Sequence, residues 1–388
     1  MEKVSPKYII ISDFYVRSNN RGTAALGYGA LSFLKEKGYI DDEYEIVKFS
    51  FYRNPLNRRR RPRRIVSEFE LNGKKWRINN ISVWVLEKFL YRKKLHFLNT
   101  LFKRTVRNVR LVAAINGGDG LTDIYGEALL NSRLPEMRWA IEFGIPFILL
   151  PQTIGPFNDA ANKERILAIL KKAKKIYVRD TNYVHELENN GLKYELTNDL
   201  SFYMQPEPFS FNVIHPCVGV NVSGLAYSNQ FGDLVGEFDY YPKLMEEIVK
   251  LFQSEGCHVY IIPHSYNIEN PEKNNDDMEA SIAFYNNLVD KKGVTFVDKN
   301  LISPQIKYLI SQMDFFIGTR MHANYAAIFT GTPVFGLAYS YKFKGAFERN
   351  GIFNRVYQIN KLKEKEISDV LSCIERAYNE DVKLKETK

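Results

Sequence analysis

The chain has 388 residues, 45% of them hydrophobic, which suits two globular domains of ordinary size and excludes a disordered chain. Lysine and arginine number 54 against 45 aspartate and glutamate, a formal charge of +9, so where the charge lies matters more than its total. Cys217, Cys257 and Cys373 share no C-x-x-C spacing, which excludes a disulfide framework or a paired-cysteine metal site. The first thirty residues hold no signal-type apolar run, and no later run approaches a membrane span, so a cytoplasmic, non-integral protein is predicted.

Short β-branched or aromatic runs alternate with helical patterns, the signature of parallel α/β units. Strands are predicted at Lys7 to Ile11, Tyr44 to Phe51, Val109 to Ile115, Pro146 to Leu150, Lys175 to Val178 and Tyr194 to Thr197, with helices at Thr23 to Lys37, Gly126 to Phe143, Ala160 to Lys174 and Asn182 to Asn189. The proline-broken stretch from Tyr203 to Cys217 suits neither a helix nor a central strand. It sets the expected division into an N-terminal domain, 1–205, and a C-terminal domain, 213–388. Beyond it, strands are predicted at Val218 to Val222, His258 to Ile262, Val294 to Val297, Asp314 to Ile317 and Pro333 to Leu337. Helices are predicted at Pro242 to Gln253, Met278 to Val289, Pro304 to Gln312, Met321 to Thr330, Phe343 to Arg349 and Lys363 to Tyr378. The expected fold class is α/β, two doubly wound Rossmann-like domains facing a cleft.

Much of the positive charge falls in an insertion at about 53–110. Arg53 to Arg64 is dominated by arginine, and Trp84 to Arg110 mixes lysine and arginine with Trp84, Phe89, Leu90, Tyr91, Leu95, Phe97, Leu98, Leu101 and Phe102. A basic amphipathic helix on an anionic membrane surface fits this mixture; a helix packed in the core is the plainer reading. Nucleic acid is an unlikely partner, since no nucleic-acid module is present.

In open parallel sheets ligands bind beyond the carboxyl ends of strands, so residues there are the candidates for chemistry. Gly318-Thr319-Arg320-Met321-His322 follows a buried strand and opens a helix, where free N–H groups, the helix dipole and an arginine fork suit an anion and His322 suits a proton donor or acceptor; a capping arginine and a packed histidine are the plainer alternative. Arg179 and Asp180 end another strand, either reaching a ligand or pairing locally. Asn116-Gly117-Gly118-Asp119-Gly120 lets the backbone approach a ligand closely, with Asp119 or Asp123 available for a sugar hydroxyl. The Arg17 to Thr23 connection, with Asn20 at its centre, suits the acceptor side, and His264 ends a strand of the second half. No G-x-G-x-x-G, H-E-x-x-H or D-x-D-x-D-G pattern occurs, so no cofactor and no protein-held metal is expected.

Together with Leu150-Pro151-Gln152-Thr153-Ile154-Gly155-Pro156, Val178-Arg179-Asp180, Asp199-Leu200, the Arg320 segment and Gly331-Thr332-Pro333-Val334-Phe335-Gly336-Leu337, these motifs resemble the polysaccharide pyruvyl transferases from roughly Lys7 to Gly351. The resemblance implies a two-domain fold similar to B-type glycosyltransferases. It also implies phosphoenolpyruvate as donor, a sugar of a surface polysaccharide or its lipid-linked precursor as acceptor, and phosphate as leaving group; the basic, aromatic insertion adds the expectation of a peripheral place at the inner face of the membrane. Carried over residue by residue, it implies donor contacts for Arg320, Met321, His322 and Arg179. For the chemistry, His322 is the candidate for donating the proton or stabilising the departing phosphate and Asp119 the first candidate for the base, while the reading of the residues places Gly118, Asn20 and His264 along the substrates. At Asn116-Gly117-Gly118-Asp119 the chain departs from the family's commoner three-glycine pattern. A B-type glycosyltransferase using a nucleotide sugar and a non-catalytic carbohydrate- or lipid-binding scaffold are the alternatives.

Overall fold

The computed structural model describes residues 6–18, 20–53, 62–94 and 99–383. The chain divides into two compact units, one made of the residues up to Phe14 with Ala30–Leu200, the other of Tyr15–Gly29 with Ser201–Lys388. Most of the basic run between Arg53 and Arg64 lies outside the described residues, as do Leu95, Phe97 and Leu98.

The first unit is built on an eight-stranded sheet of order β3-β4-β2-β1-β5-β6-β7-β8. Its strands are β1 (Lys7–Ser12), β2 (Tyr44–Tyr52), β3 (Arg63–Leu71), β4 (Lys74–Trp84), β5 (Val109–Ala114), β6 (Phe147–Gln152), β7 (Lys175–Val178) and β8 (Glu195–Leu196). β6 is buried at every position, as a parallel strand covered on both faces must be. Neighbours pair in parallel except β3 and β4, an antiparallel hairpin that the sequence pattern did not announce as strands. Its turn is Asn72-Gly73, both at positive φ (50° and 74°), the geometry of a type I′ turn. That dipeptide between two alternating runs was the available signal, hidden by the density of arginine and lysine.

The aromatic segment after β4 forms two short helices, Val85–Arg92 and Leu101–Val106, rather than one long amphipathic helix. Phe102 is fully buried, and Tyr91 rests edge-on against it at 5.7 Å, so that part is core. Leu86 and Phe89 remain 54% and 48% exposed beside Lys88 and Arg92. The predicted helix from Gly126 to Phe143 is likewise two, Glu127–Ser132 and Pro135–Phe143, because Pro135 can start a helix but not continue one.

The second unit holds a six-stranded, wholly parallel sheet of order β11-β10-β9-β12-β13-β14. Its strands are β9 (Cys217–Asn221), β10 (His258–Ile261), β11 (Val294–Phe296), β12 (Phe315–Gly318), β13 (Val334–Ala338) and β14 (Val356–Gln358). Leu244, Met245, Ile248, Val249 and Phe252 recur at helical spacing on the Tyr241–Ser254 helix and bury one side of it. The terminal Ile367–Tyr378 helix packs Tyr378 edge-on against Phe252 and Phe315, at 5.2 and 5.5 Å. Strand order reverses at β1 in the first sheet and at β9 in the second, and the ends of these strands and their neighbours are the switch points where such sheets bind ligands.

His215 Nδ1, Cys217 Sγ and Asp314 Oδ2 gather within 4.8 Å at the opposite end of β9 and β12, a grouping that spacing along the sequence does not suggest. Asp314 accepts from the Cys217 N–H at 2.8 Å and lies 2.8 Å from His215, and burial pushes the Cys217 thiol up to about 12. The cluster is a hydrogen-bonded corner of the sheet.

Candidate donor site

In the second unit the carboxyl end of β12 delivers Thr319 and Arg320 directly to the start of the Met321–Thr330 helix. The Arg320 side chain is 11% exposed and that of Asp277 is fully buried. Arg320 donates from Nε and Nη2 to Asp277 Oδ1 at 3.0 and 2.7 Å, and from Nη2 to the Asn275 carbonyl and Oδ1 at 2.9 and 2.8 Å. Burial works against the guanidinium charge, but Asp277, with Tyr339, more than offsets it and holds the Arg320 pKa above its ordinary value.

Asp277 is the hub. Besides Arg320, it accepts from the Gly224 N–H at 2.8 Å, the Ser265 N–H at 3.0 Å, the His264 N–H at 3.2 Å and Asn221 Nδ2 at 3.2 Å. Asn221 Oδ1 in turn accepts from the Arg320 N–H at 2.9 Å. One carboxylate thus ties together the loops after β9, β10 and β12. Gly224 is required where it stands, since a Cβ there would lie 2.4 Å from the Asp276 carbonyl oxygen.

His264 is buried beside this group. Burial first, then His322, Arg320 and Arg21, push its pKa down to about 3, with Asp277 opposing, so it is neutral at physiological pH. Because the folded value lies below the ordinary 6.5, the folded chain binds fewer protons than the unfolded one between these limits, and stability is lost as pH falls below about 6.5. The loss approaches ~1.4 kcal/mol per pH unit at most. Urea midpoints measured from pH 7 to 4 are expected to fall less steeply for His264→Gln than for the native chain. Equal slopes would remove His264 from the account.

His322 stands on the first helical turn, its ring 6.3 Å from that of Tyr325 and closely faced by Gly22, where a Cβ would come within 2.4 Å of Nδ1. Met321 is the first residue of that helix and is partly buried. Asn20 accepts from the Thr23 N–H at 3.2 Å and lines a polar cavity of about 110 Å³ with Tyr266, Asn275 and Asp276 among others. Four expected residues, Arg320, His322, His264 and Asn20, therefore belong to this unit, together with Met321; Asp277 and Arg21 were not singled out from the sequence.

Arg179, Gly118 and Asp119 belong to the first unit. Arg179 is buried, with Nη1 2.6 Å from Asp199 Oδ2 and Nε 3.0 Å from Thr153 Oγ1, so its charge is matched within that unit. Gln152 donates to the Ala114 carbonyl at 2.9 Å and accepts from Asn116 Nδ2 at 3.2 Å, and the Gly118 carbonyl accepts from the Thr153 N–H at 2.9 Å. The Gly-Gly-Asp-Gly, Gln-x-x-Gly-Pro and Val-Arg-Asp segments are therefore one hydrogen-bonded system at the ends of β5, β6 and β7. Asp119 accepts from the Tyr125 hydroxyl at 3.2 Å. Asp123 is instead committed to the N–H groups of Asn158 and Asp159, at 2.7 and 2.9 Å, before the Ala160–Leu170 helix.

Two largely parallel α/β sheets, with an arginine at a helix start at the switch point of the second, give a fold of the B-type glycosyltransferase-like kind. Among solved structures the chain resembles a protein described as a UDP-N-acetylglucosamine 2-epimerase of Listeria monocytogenes, at 11% identity and a TM-score of 0.53, over 97% of this chain and 90% of that one. It also resembles the UDP-GlcNAc 2-epimerase of Methanocaldococcus jannaschii, at 10% identity and a TM-score of 0.50, over 95% and 91% of the two chains. At these identities the likeness concerns the fold. No curated protein matches. The sequence model of the polysaccharide pyruvyl transferases matches residues 20–341, and the chain belongs to that family.

Proposed function

We propose that the chain transfers the pyruvyl group of phosphoenolpyruvate to a pair of hydroxyls on a sugar of a surface polysaccharide or its lipid-linked precursor, forming a ketal and releasing phosphate. The family supports the transferase and its polysaccharide substrate class. The observation that carries the donor is the Arg320-Met321-His322 helix start, where an arginine held by Asp277 stands two residues from a histidine at the switch point of the sheet.

In this reading a proton passes to the methylene carbon of the enol, making a methyl group and an electron-poor C2. One sugar oxygen bonds to C2 and loses its proton; the second hydroxyl then bonds to C2 as the C2–O bond to phosphate breaks, and its proton leaves with the phosphate. His322 supplies the first proton, and Asp119 takes one from a hydroxyl. Arg179 is assigned a donor contact, Gly118 and Asn20 the acceptor side, and His264, neutral, a hydrogen bond to a bound oxygen. Exposed Leu86 and Phe89 beside Lys88 and Arg92 support a peripheral place on an anionic membrane, where a lipid-linked acceptor would lie. Co-sedimentation with anionic but not neutral vesicles is expected, and its absence would remove the membrane from the proposal.

The deciding assay measures inorganic phosphate released from phosphoenolpyruvate as acceptor sugars are supplied. Acceptor-dependent release supports the reading. Turnover of a nucleotide sugar without any release from phosphoenolpyruvate would place the chain among the glycosyltransferases instead.

A further inference from the structure

Three arginines of the described residues are buried as whole residues, Arg21, Arg179 and Arg355. Arg179 has Asp199, and Arg355 has Asp381 and Glu380. Arg21, only 8% exposed, forms no ion pair with a carboxylate among the described residues. Its partners are neutral: Nη1 donates to the Ser18 carbonyl at 3.0 Å, Nη2 donates to Asn300 Oδ1 at 2.8 Å, and the guanidinium lies 4.6 Å from the centre of the Tyr266 ring. Its Nε–H is buried and has no acceptor. A cation withdrawn from water without a paired charge is costly, and stacking on one ring offsets only part of that cost.

The surroundings say what the missing partner is. Arg21 is the first residue of the sixteen-residue Arg21–Glu36 helix, so the positive end of a helix dipole adds to its charge. The next residue, Gly22, faces the His322 ring, and the charge of Arg21 is one of those felt by His264. Tyr266, on which Arg21 stacks, and Asn275, to which Arg320 donates, both line the polar cavity of about 110 Å³, whose lining also includes Glu272 and Asp276 but not Arg21 itself. All these residues belong to the second unit. Arg320 itself has spent Nε and Nη2 on Asp277 and Asn275, so one arginine fork is poorly supplied for a donor bearing both a phosphate and a carboxylate.

We propose that Arg21 is an anion-binding residue of the donor site, held without a carboxylate of its own so that the phosphate group of the donor supplies the opposing charge. The proposal rests on the pyruvyl-transfer reading only for the identity of the donor. The Arg17 to Thr23 connection, expected from the sequence to shape the acceptor side, thereby acquires a donor role.

Calorimetric titration of phosphoenolpyruvate, inorganic phosphate and UDP into the native chain, Arg21→Gln and Arg21→Lys tests it, with the thermal midpoint of each unliganded protein recorded. Expected are an affinity for phosphoenolpyruvate about tenfold or more weaker in Arg21→Gln, the scale of a lost charge-assisted hydrogen bond, and an intermediate loss in Arg21→Lys. The unliganded midpoint of Arg21→Gln should stay level or rise, because an uncompensated charge has been removed; a merely structural arginine would lower it. Should Arg21→Gln not fold, the affinity loss in Arg21→Lys decides. Unchanged affinity for every anion in a folded variant overturns the proposal, as does a native chain that binds none of the three. Binding of UDP alone, lost in Arg21→Gln, keeps Arg21 as the phosphate ligand and overturns phosphoenolpyruvate as the donor.

Discussion

Asp277→Ala is expected to lower the stability of the second unit by about 3–5 kcal/mol, the range for removing one partner of a buried ion pair. The physical reason is the number of donors that converge on one carboxylate. Arg320 would keep its charge in a buried setting, and the N–H groups of Gly224, His264 and Ser265 would lose their acceptor at once. Asp277→Asn separates charge from geometry. It keeps an oxygen for part of the backbone set and removes the charge opposite Arg320, so it should lose less stability than alanine yet still weaken anion binding by letting the guanidinium leave its position. Urea unfolding combined with phosphoenolpyruvate titration reads both quantities. If Asp277→Ala unfolds at the native urea concentration, the hub described above carries no energetic weight and Arg320 must be held by Asn275 and its surroundings alone.

The second large effect concerns rate. His322→Ala is expected to lower kcat by about 10²–10⁴, the usual contribution of a positioned proton donor, while the urea midpoint changes little because the residue is only partly buried. Donor affinity should change far less than turnover, since the anion contacts proposed for Arg320 and Arg21 do not involve the His322 ring. Phosphate release under single-turnover conditions separates the two. Near-native release would mean that the enol carbon receives its proton from another group.

Most parallel strands were legible in the sequence because those covered on both faces must be short, continuous apolar runs; Lys175 to Val178 falls on β7 and the other predicted strands agree within a residue or two, whereas the three-residue edge strand β14 was not predicted. The Met321–Thr330 helix was legible from its glycine-bounded apolar pattern, with Gly331 at φ 75° closing it. What was not legible is non-local. Asp277 is one aspartate in an Asn-Asp-Asp run, and nothing nearby distinguishes it from Asp276, which caps the Asp277–Asn287 helix by accepting from the Met278 and Glu279 N–H groups. Its importance comes from donors that are 12 to 56 positions away along the chain. Arg21 was legible as part of a polar loop, but its lack of a carboxylate is a property of the folded unit. The β3–β4 hairpin was missed for the opposite reason: its evidence was local, and strongly charged residues on the exposed face obscured the alternation.

The second unit's discontinuity reaches back to the birth of the chain. The segment Tyr15–Gly29 leaves the ribosome long before Ser201, yet its closest companions, Tyr266, Asn300 and Ser303, are made near the end. At about 5–20 residues per second the segment must wait some tens of seconds for them, while the first unit has its own strands β1 to β8 to assemble. A fragment starting at Ser201 would therefore be an incomplete unit, lacking the strand-to-helix connection that carries Arg21 and Gly22, and dissection at the apparent midpoint would remove part of the second unit along with the half discarded.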